Sequence, residues 1–188
     1  MARMDPKALH QEAKDRYWRD KNLPETRHLL ERGIALATQI GDVSEQKAMN
    51  YNLASFCWPG WDEDGIAPTA EDIDVGEKAA NENLRLAEEL QQGDAPMANA
   101  WFMVGAYHLV RTRYAEADDA FANSMDASFR AGNTDHMLLG AGFRILAGQL
   151  TSGIVDVEAP CSHILAEGGE HGKMFADQLR AAAKVFAS

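Results

Sequence analysis

Residues 98–125, ANAWFMVGAYHLVRTRYAEADDAFANSM, leave this chain few ways to fold. Trp101, Val104, Gly105 and His108 recur at i, i+3, i+4 and i+7, which is one face of a helix. Ala117, Phe121 and Ser124 recur at i, i+4 and i+7 and form a facing stripe, with Arg111-Thr112-Arg113 as the polar turn between the two. A glycine inside a helix costs about 1 kcal/mol relative to alanine. Gly105 therefore marks a place where another backbone passes close by. Small Ala117 and large Phe121 interdigitate with Gly105 and Trp101 in such an arrangement. The stretch predicts two antiparallel helices that bury Trp101, Gly105, Ala117 and Phe121 together.

The rest of the chain carries helix punctuation and no strand pattern. Asp5-Pro6 places an N-cap before a first-turn proline. Pro24 opens a second helix that Gly41 ends. Asp42-Val-Ser-Glu45 has the form of a capping box, and Thr69-Ala-Glu-Asp72 starts a long helix running to Gln92. Gly132-Asn-Thr-Asp135, Thr151-Ser-Gly153 and Gly168-Gly169 break the chain again, leaving a shorter helix over 157–166 and a last one over 171–186. The breaks repeat as Ile-Gly-Asp at 40–42, Gln-Gly-Asp at 92–94 and Ala-Gly-Asn at 131–133. These signals predict an all-α protein of eight or nine helices, paired over 5–41, 42–93, 94–132 and 133–168, with a cap helix over 170–187.

The Trp, Val-Gly, Tyr, Ala, Phe and Ser positions of the 98–131 hairpin resemble the tetratricopeptide repeat (TPR) family. His108 stands where the family usually has an aromatic residue, and Thr112 where a turn glycine is usual. The resemblance implies one domain over 1–188, a right-handed stack of antiparallel helix hairpins (a TPR-like α-solenoid) closed by the C-terminal cap helix. It also implies that the first helix of each pair lines a concave face. Matching the register of that hairpin places Asn99, Phe102, Ala106 and Leu109 on this face. Tyr51, Ser55 and Trp58 then match before it, and His136, Leu139 and Phe143 after it. The Lys, Asn and Arg clamp with which many TPR proteins hold a peptide's terminal carboxylate is absent at the matching Tyr51, Ser55, Phe102 and Ala106. A mixed apolar and aromatic groove suits an amphipathic peptide.

The chain carries 29 acidic and 18 basic side chains, a net charge of -11. Nucleic acid and a bare anionic membrane would be repelled, whereas basic protein segments would be steered in. The same charge also serves plain solubility. Cys57 and Cys161, without a CxxC, read as reduced core thiols of a cytoplasmic protein. The N-terminus carries no signal-peptide pattern, and no apolar run approaches the roughly 18 residues that span a bilayer.

One segment departs from the short-loop pattern, Trp58-Pro-Gly-Trp61-Asp-Glu-Asp64. Its two tryptophans read either as interface anchors or as a plug folded onto the protein's own surface. Its acids do not follow the spacing of a calcium loop. Cys161, His163 and His171 do not make a zinc pattern, and no phosphate loop, nucleophile elbow or HExxH is present. No cofactor, metal or catalytic residue is therefore expected. The function expected is a non-catalytic adaptor holding a basic or amphipathic peptide, through Tyr51, Trp58, Trp61, Asn99, Phe102, Leu109, His136, Leu139 and Phe143. Its alternatives are a small-ligand sensor with a closed apolar pocket and, less favoured, an enzyme with a cryptic site. A homo-oligomer is compatible with each.

Overall fold

Left-handed residues set where the helices stop. Gly41 and Gly132 adopt φ of +73° and +68°, and each closes a helix with the same pair of backbone bonds. Gly41 N–H donates to Thr38 and Asp42 N–H to Ala37, while Gly132 N–H donates to Phe129 and Asn133 N–H to Ser128. This doubly bonded ending satisfies the last carbonyls and turns the chain back. The hairpin turn uses the same device with a different residue. Thr112 takes φ +56°, its N–H donates to Leu109, and Arg113 N–H donates to His108. Threonine thus holds a position that glycine occupies without steric cost.

The computed structural model describes residues 5–187, so the first four residues of the N-terminal stretch lie outside it. Among the described residues there are nine α-helices and no strand: α1 (Pro6–Trp18), α2 (Leu23–Ile40), α3 (Val43–Phe56), α4 (Ala70–Leu90), α5 (Asp94–Val110), α6 (Tyr114–Arg130), α7 (Thr134–Ser152), α8 (Glu158–Glu167) and α9 (Gly172–Phe186). A 3-10 turn spans Pro59–Trp61. The starts at Asp5, Asp42 and Thr69 follow the expected caps, and Asn22 and Asn133 add two more. Asp5, Asn22, Asp42 and Asn133 each accept a first-turn N–H, and Thr69 with Asp72 forms a reciprocal capping box. At Asp42 only half of the expected box forms, because the Glu45 carboxylate bonds His10 of α1 instead. No helix among the described residues is long and apolar enough to cross a membrane.

The sequence reading places one domain over 1–188, and the chain gathers into two compact units. The first comprises Met1–Trp58 and Glu63–Gln91, the second Pro59–Asp62 and Gln92–Ser188. In the first unit, consecutive helices α1 to α4 pack in order, and α1 also meets α3. Tyr17 stacks on Phe56 at 4.0 Å between ring centroids, within a core that includes Leu30, Met49 and Leu86.

In the second unit, α5 packs on α6 and α6 on α7, while α7 meets α8 and α9. A Cβ at Gly105 would lie 2.8 Å from Cε1 of Phe121, so the α5–α6 approach requires glycine there unless the ring moves. Ser124 adds a hydrogen bond from its Oγ to the Ala98 carbonyl, 2.8 Å across the hairpin. Gly105, Ala117 and Phe121 are buried as expected, whereas Trp101 is only half-buried.

Two stability outcomes follow. Phe121→Ala should destabilise the protein by about 3–5 kcal/mol, as aromatic truncations in packed cores do. An unchanged melting temperature would show that the hairpin is held elsewhere. Thr112→Gly should raise stability by about 0.5–1 kcal/mol, because relief of the left-handed strain exceeds the extra flexibility of glycine in the unfolded chain. Urea denaturation of the variant measures this, and a loss of stability would contradict the strain argument.

Candidate functional site

Most residues of the expected groove are interior. Phe102 of α5, Phe121 of α6 and Phe143 of α7 form a triangle of rings with centroids 5.4, 4.9 and 5.2 Å apart. Leu109 and Leu139 are buried in the same unit, and Trp58 is buried in the other. Phe102, Leu109, Leu139, Phe143 and Trp58 therefore pack in the core instead of lining an open surface. The reason lies in the composition of α5. Ala98, Ala100, Phe102, Met103, Val104, Ala106, Tyr107 and Leu109 are all buried, so the helix is apolar nearly all round and leaves little face open.

His136 lies at the edge of this triangle, 5.6 Å from the Phe102 ring and 6.1 Å from Phe175 of α9. Its Nδ1 is 2.8 Å from Ser128 Oγ, which lies 2.8 Å from the Ser124 carbonyl. With the serine proton directed to that carbonyl, Nδ1 is the donor to Ser128 Oγ. Burial pushes the imidazole down to about 4, so it is neutral at physiological pH. Asn99 is exposed, and Tyr51 is half-buried with its phenol raised by burial.

The 58–64 segment divides between both of its expected readings. Trp58 is buried, and Trp61 stays half-buried at the surface of the second unit. The Pro59–Trp61 turn packs on α9, and Lys184 of α9 forms an ion pair with Asp62. Beside Trp61, a shallow recess of about 520 Å³ is lined by Glu170, Lys173, Met174, Asp177, Gln178 and Ala181. Glu63 is paired with Lys21. Two of the three acids of this segment are thus compensated by the chain's own lysines.

Sequence reasoning missed a polar cluster in the first unit. His10, mostly buried, has Nδ1 2.5 Å from Glu45 Oε1 and Nε2 2.6 Å from Asn52 Nδ2. Both ring nitrogens are engaged, and burial outweighs Glu45 in lowering the pKa, so the ring ties α1 to α3. The signal available was the capping-box position of Glu45 opposite a histidine on the apolar face of α1. Among the described residues no His, Cys, Asp and Glu side chains gather so as to hold a metal ion. Cys161 donates from Sγ to the Ala176 carbonyl, and burial pushes the Cys57 thiol up to about 12. Neither is an activated thiolate.

No protein-family model matches this chain, and neither a curated protein nor a solved structure shows significant similarity to it.

The buried neutral His136 predicts acid sensitivity. Its folded-state value of about 4 lies below the ordinary 6.5, so as pH falls below 6.5 the unfolded chain takes up a proton that the folded chain refuses. Stability is lost progressively until both forms are protonated below pH 4. Replacing His136 by leucine should reduce the loss between pH 7 and pH 4 by up to about 3 kcal/mol. Urea titrations across that range measure the difference, and parallel pH profiles would contradict the assignment.

Proposed function

We propose that this chain is a non-catalytic, TPR-like interaction module that holds an amphipathic segment of a partner protein. In this reading its hairpins belong to a right-handed repeat stack, with α9 as the cap. Side-by-side contacts of first helices support the repeat, α1 with α3 and α5 with α7, and the cap α9 meets the first helix α7 in the same way. So do the similar helix endings at Gly41, Thr112 and Gly132. A non-catalytic role is favoured by the state of the reactive groups: two buried protonated thiols, an engaged His10 and a buried neutral His136.

The observation that carries the binding role is Trp61. A half-buried indole, held in place by its own turn against α9, borders a recess that also presents the 47% exposed Met174. Preorganised tryptophan beside a flexible thioether is the type of surface that takes an apolar anchor of a peptide. Lys173 and Asp177, 2.5 Å apart in an ion pair, offer polar contacts to the flanking backbone.

Selection of a displayed peptide library on the purified protein tests this reading. The expected peptides carry aromatic or aliphatic anchors and lose about tenfold or more in affinity against Trp61→Ala and Met174→Ser. The exposed Gln39→Ala change serves as a neutral comparison. Failure to enrich any peptide, or equal binding by all variants with folding intact, would overturn the proposal.

A further inference from the structure

A second surface of the same unit combines exposed apolar side chains with acids that outnumber the cation beside them. Helices α6 and α7 run antiparallel, with Met125 packed on Gly140, where a Cβ would lie 2.7 Å from Met125 Cγ. Beside this contact, Asp118, Met125, Ala141, Arg144 and Ile145 line a shallow depression of about 350 Å³. Arg144 closes one end by donating to both oxygens of Asp118, at 2.7 and 3.0 Å. Toward the other end, Phe129 follows Met125 by one turn on the same face of α6. Ile145 is 45% exposed and Phe129 is 74% exposed. Half-buried Met125, Ala141 and Met137 make the ground between them apolar.

The charge of this strip distinguishes it from the Trp61 loop. Asp62 and Glu63 are paired with lysines of their own units. On α6, Asp119 and Asp126 are exposed and share the field of Arg144 with Asp118. The nearby Arg144 binds Asp118 through Nε and Nη2, and Arg130, at the helix end, is bound to Asp94. Glu116, in the first turn, adds a further exposed negative charge. Asp119 and Asp126 lie seven residues apart, two helical turns and about 10 Å along the axis.

From this pattern we infer that the α6–α7 strip docks a basic amphipathic helix of a partner protein. Such a helix lies along α6 with Lys or Arg at positions i and i+7 facing Asp119 and Asp126. Apolar residues at i+3 and i+4 enter the ground between Ile145 and Phe129. Charge selects this occupant over a second copy of the chain, since a copy would bring the same acids against each other. It also selects a helix over a purely basic tail, because a tail leaves Phe129 and Ile145 uncovered. This surface is separate from the Trp61 recess and stands or falls independently of it.

Binding of a synthetic peptide to the full chain, followed by fluorescence anisotropy, tests the inference. The probe is a helical 16-mer with leucines on one face and lysines at i and i+7, and its control has glutamates in place of the lysines. Binding of the lysine probe should weaken at least tenfold between low and high salt, and the glutamate control should not bind. Asp119→Asn with Asp126→Asn should weaken the probe about five- to tenfold and flatten its salt dependence. Phe129→Ser with Ile145→Ser should weaken it about tenfold while leaving that dependence intact. Both pairs are at the surface, so unchanged melting curves separate lost contacts from lost folding. Glu88→Gln with Glu167→Gln removes the same charge from exposed sites elsewhere and should change nothing. An equal loss in that control pair would reduce the effect to net charge and overturn the inference, as would full affinity in the Phe129 and Ile145 variant. Concentration-dependent dimerisation abolished by Phe129→Ser would overturn it in favour of a second copy. Peptides that depend on Trp61 but ignore the strip would refute this surface and leave the interaction module standing.

Discussion

The close approach of α5 to α6 at Gly105 is the contact on which the second unit is built. Without a Cβ there, the Phe121 ring seats against the α5 backbone, and that seat brings it within 5.4 Å of Phe102 and 5.2 Å of Phe143. One missing methyl thus sets the position of a ring triangle joining three helices. His136 lies at the triangle's edge, where neighbouring rings desolvate it while Ser128 satisfies Nδ1. In so closely packed a core, a methyl group added at Gly105 would displace the ring at a cost of about 1–3 kcal/mol.

That core also explains why the expected groove is not open. A helix register tells which residues share a face. It does not tell whether the face is covered, and for α5 almost every face is. The residues with the largest apolar area, which made Phe102, Phe143 and Leu139 attractive as anchors, are those whose burial stabilises the fold most. What remains outside is smaller and less continuous: Trp61 on its turn, Met174 of α9, and the strip from Ile145 to Phe129.

Charge is arranged unevenly over this framework. Arg27 bridges Glu71 and Asp72, Arg85 bridges Glu82 and Glu89, and the lysines at 21 and 184 meet the acids of the 58–64 loop. Exposed pairs of this sort contribute little to stability, but they cancel local field. The net charge of -11 is therefore expressed where acids outnumber such partners, and α6, whose Asp118, Asp119 and Asp126 share Arg144, is such a place.

The helix boundaries were legible in the sequence because their causes are local. Asp5, Asn22 and Thr69 cap donors two or three residues away, and Gly41 and Gly132 supply left-handed turns that need no distant contact. The Gly105–Phe121 interlock was legible too as small residues meeting large ones, although the close neighbour at Gly105 is the Phe121 ring and not the backbone expected there. Only the tertiary structure decided the rest. Glu45 left its expected cap for His10, thirty-five residues earlier in the chain. Lys184 reached Asp62 across 122 residues. Such pairings join residues far apart in the chain, and helical periodicity carries no information beyond one helix. The division into two units and the choice of which apolar residues stay exposed depend on the same long-range packing. The sequence by itself therefore determined where the helices begin, turn and end, and the tertiary structure decided which of their faces meet solvent.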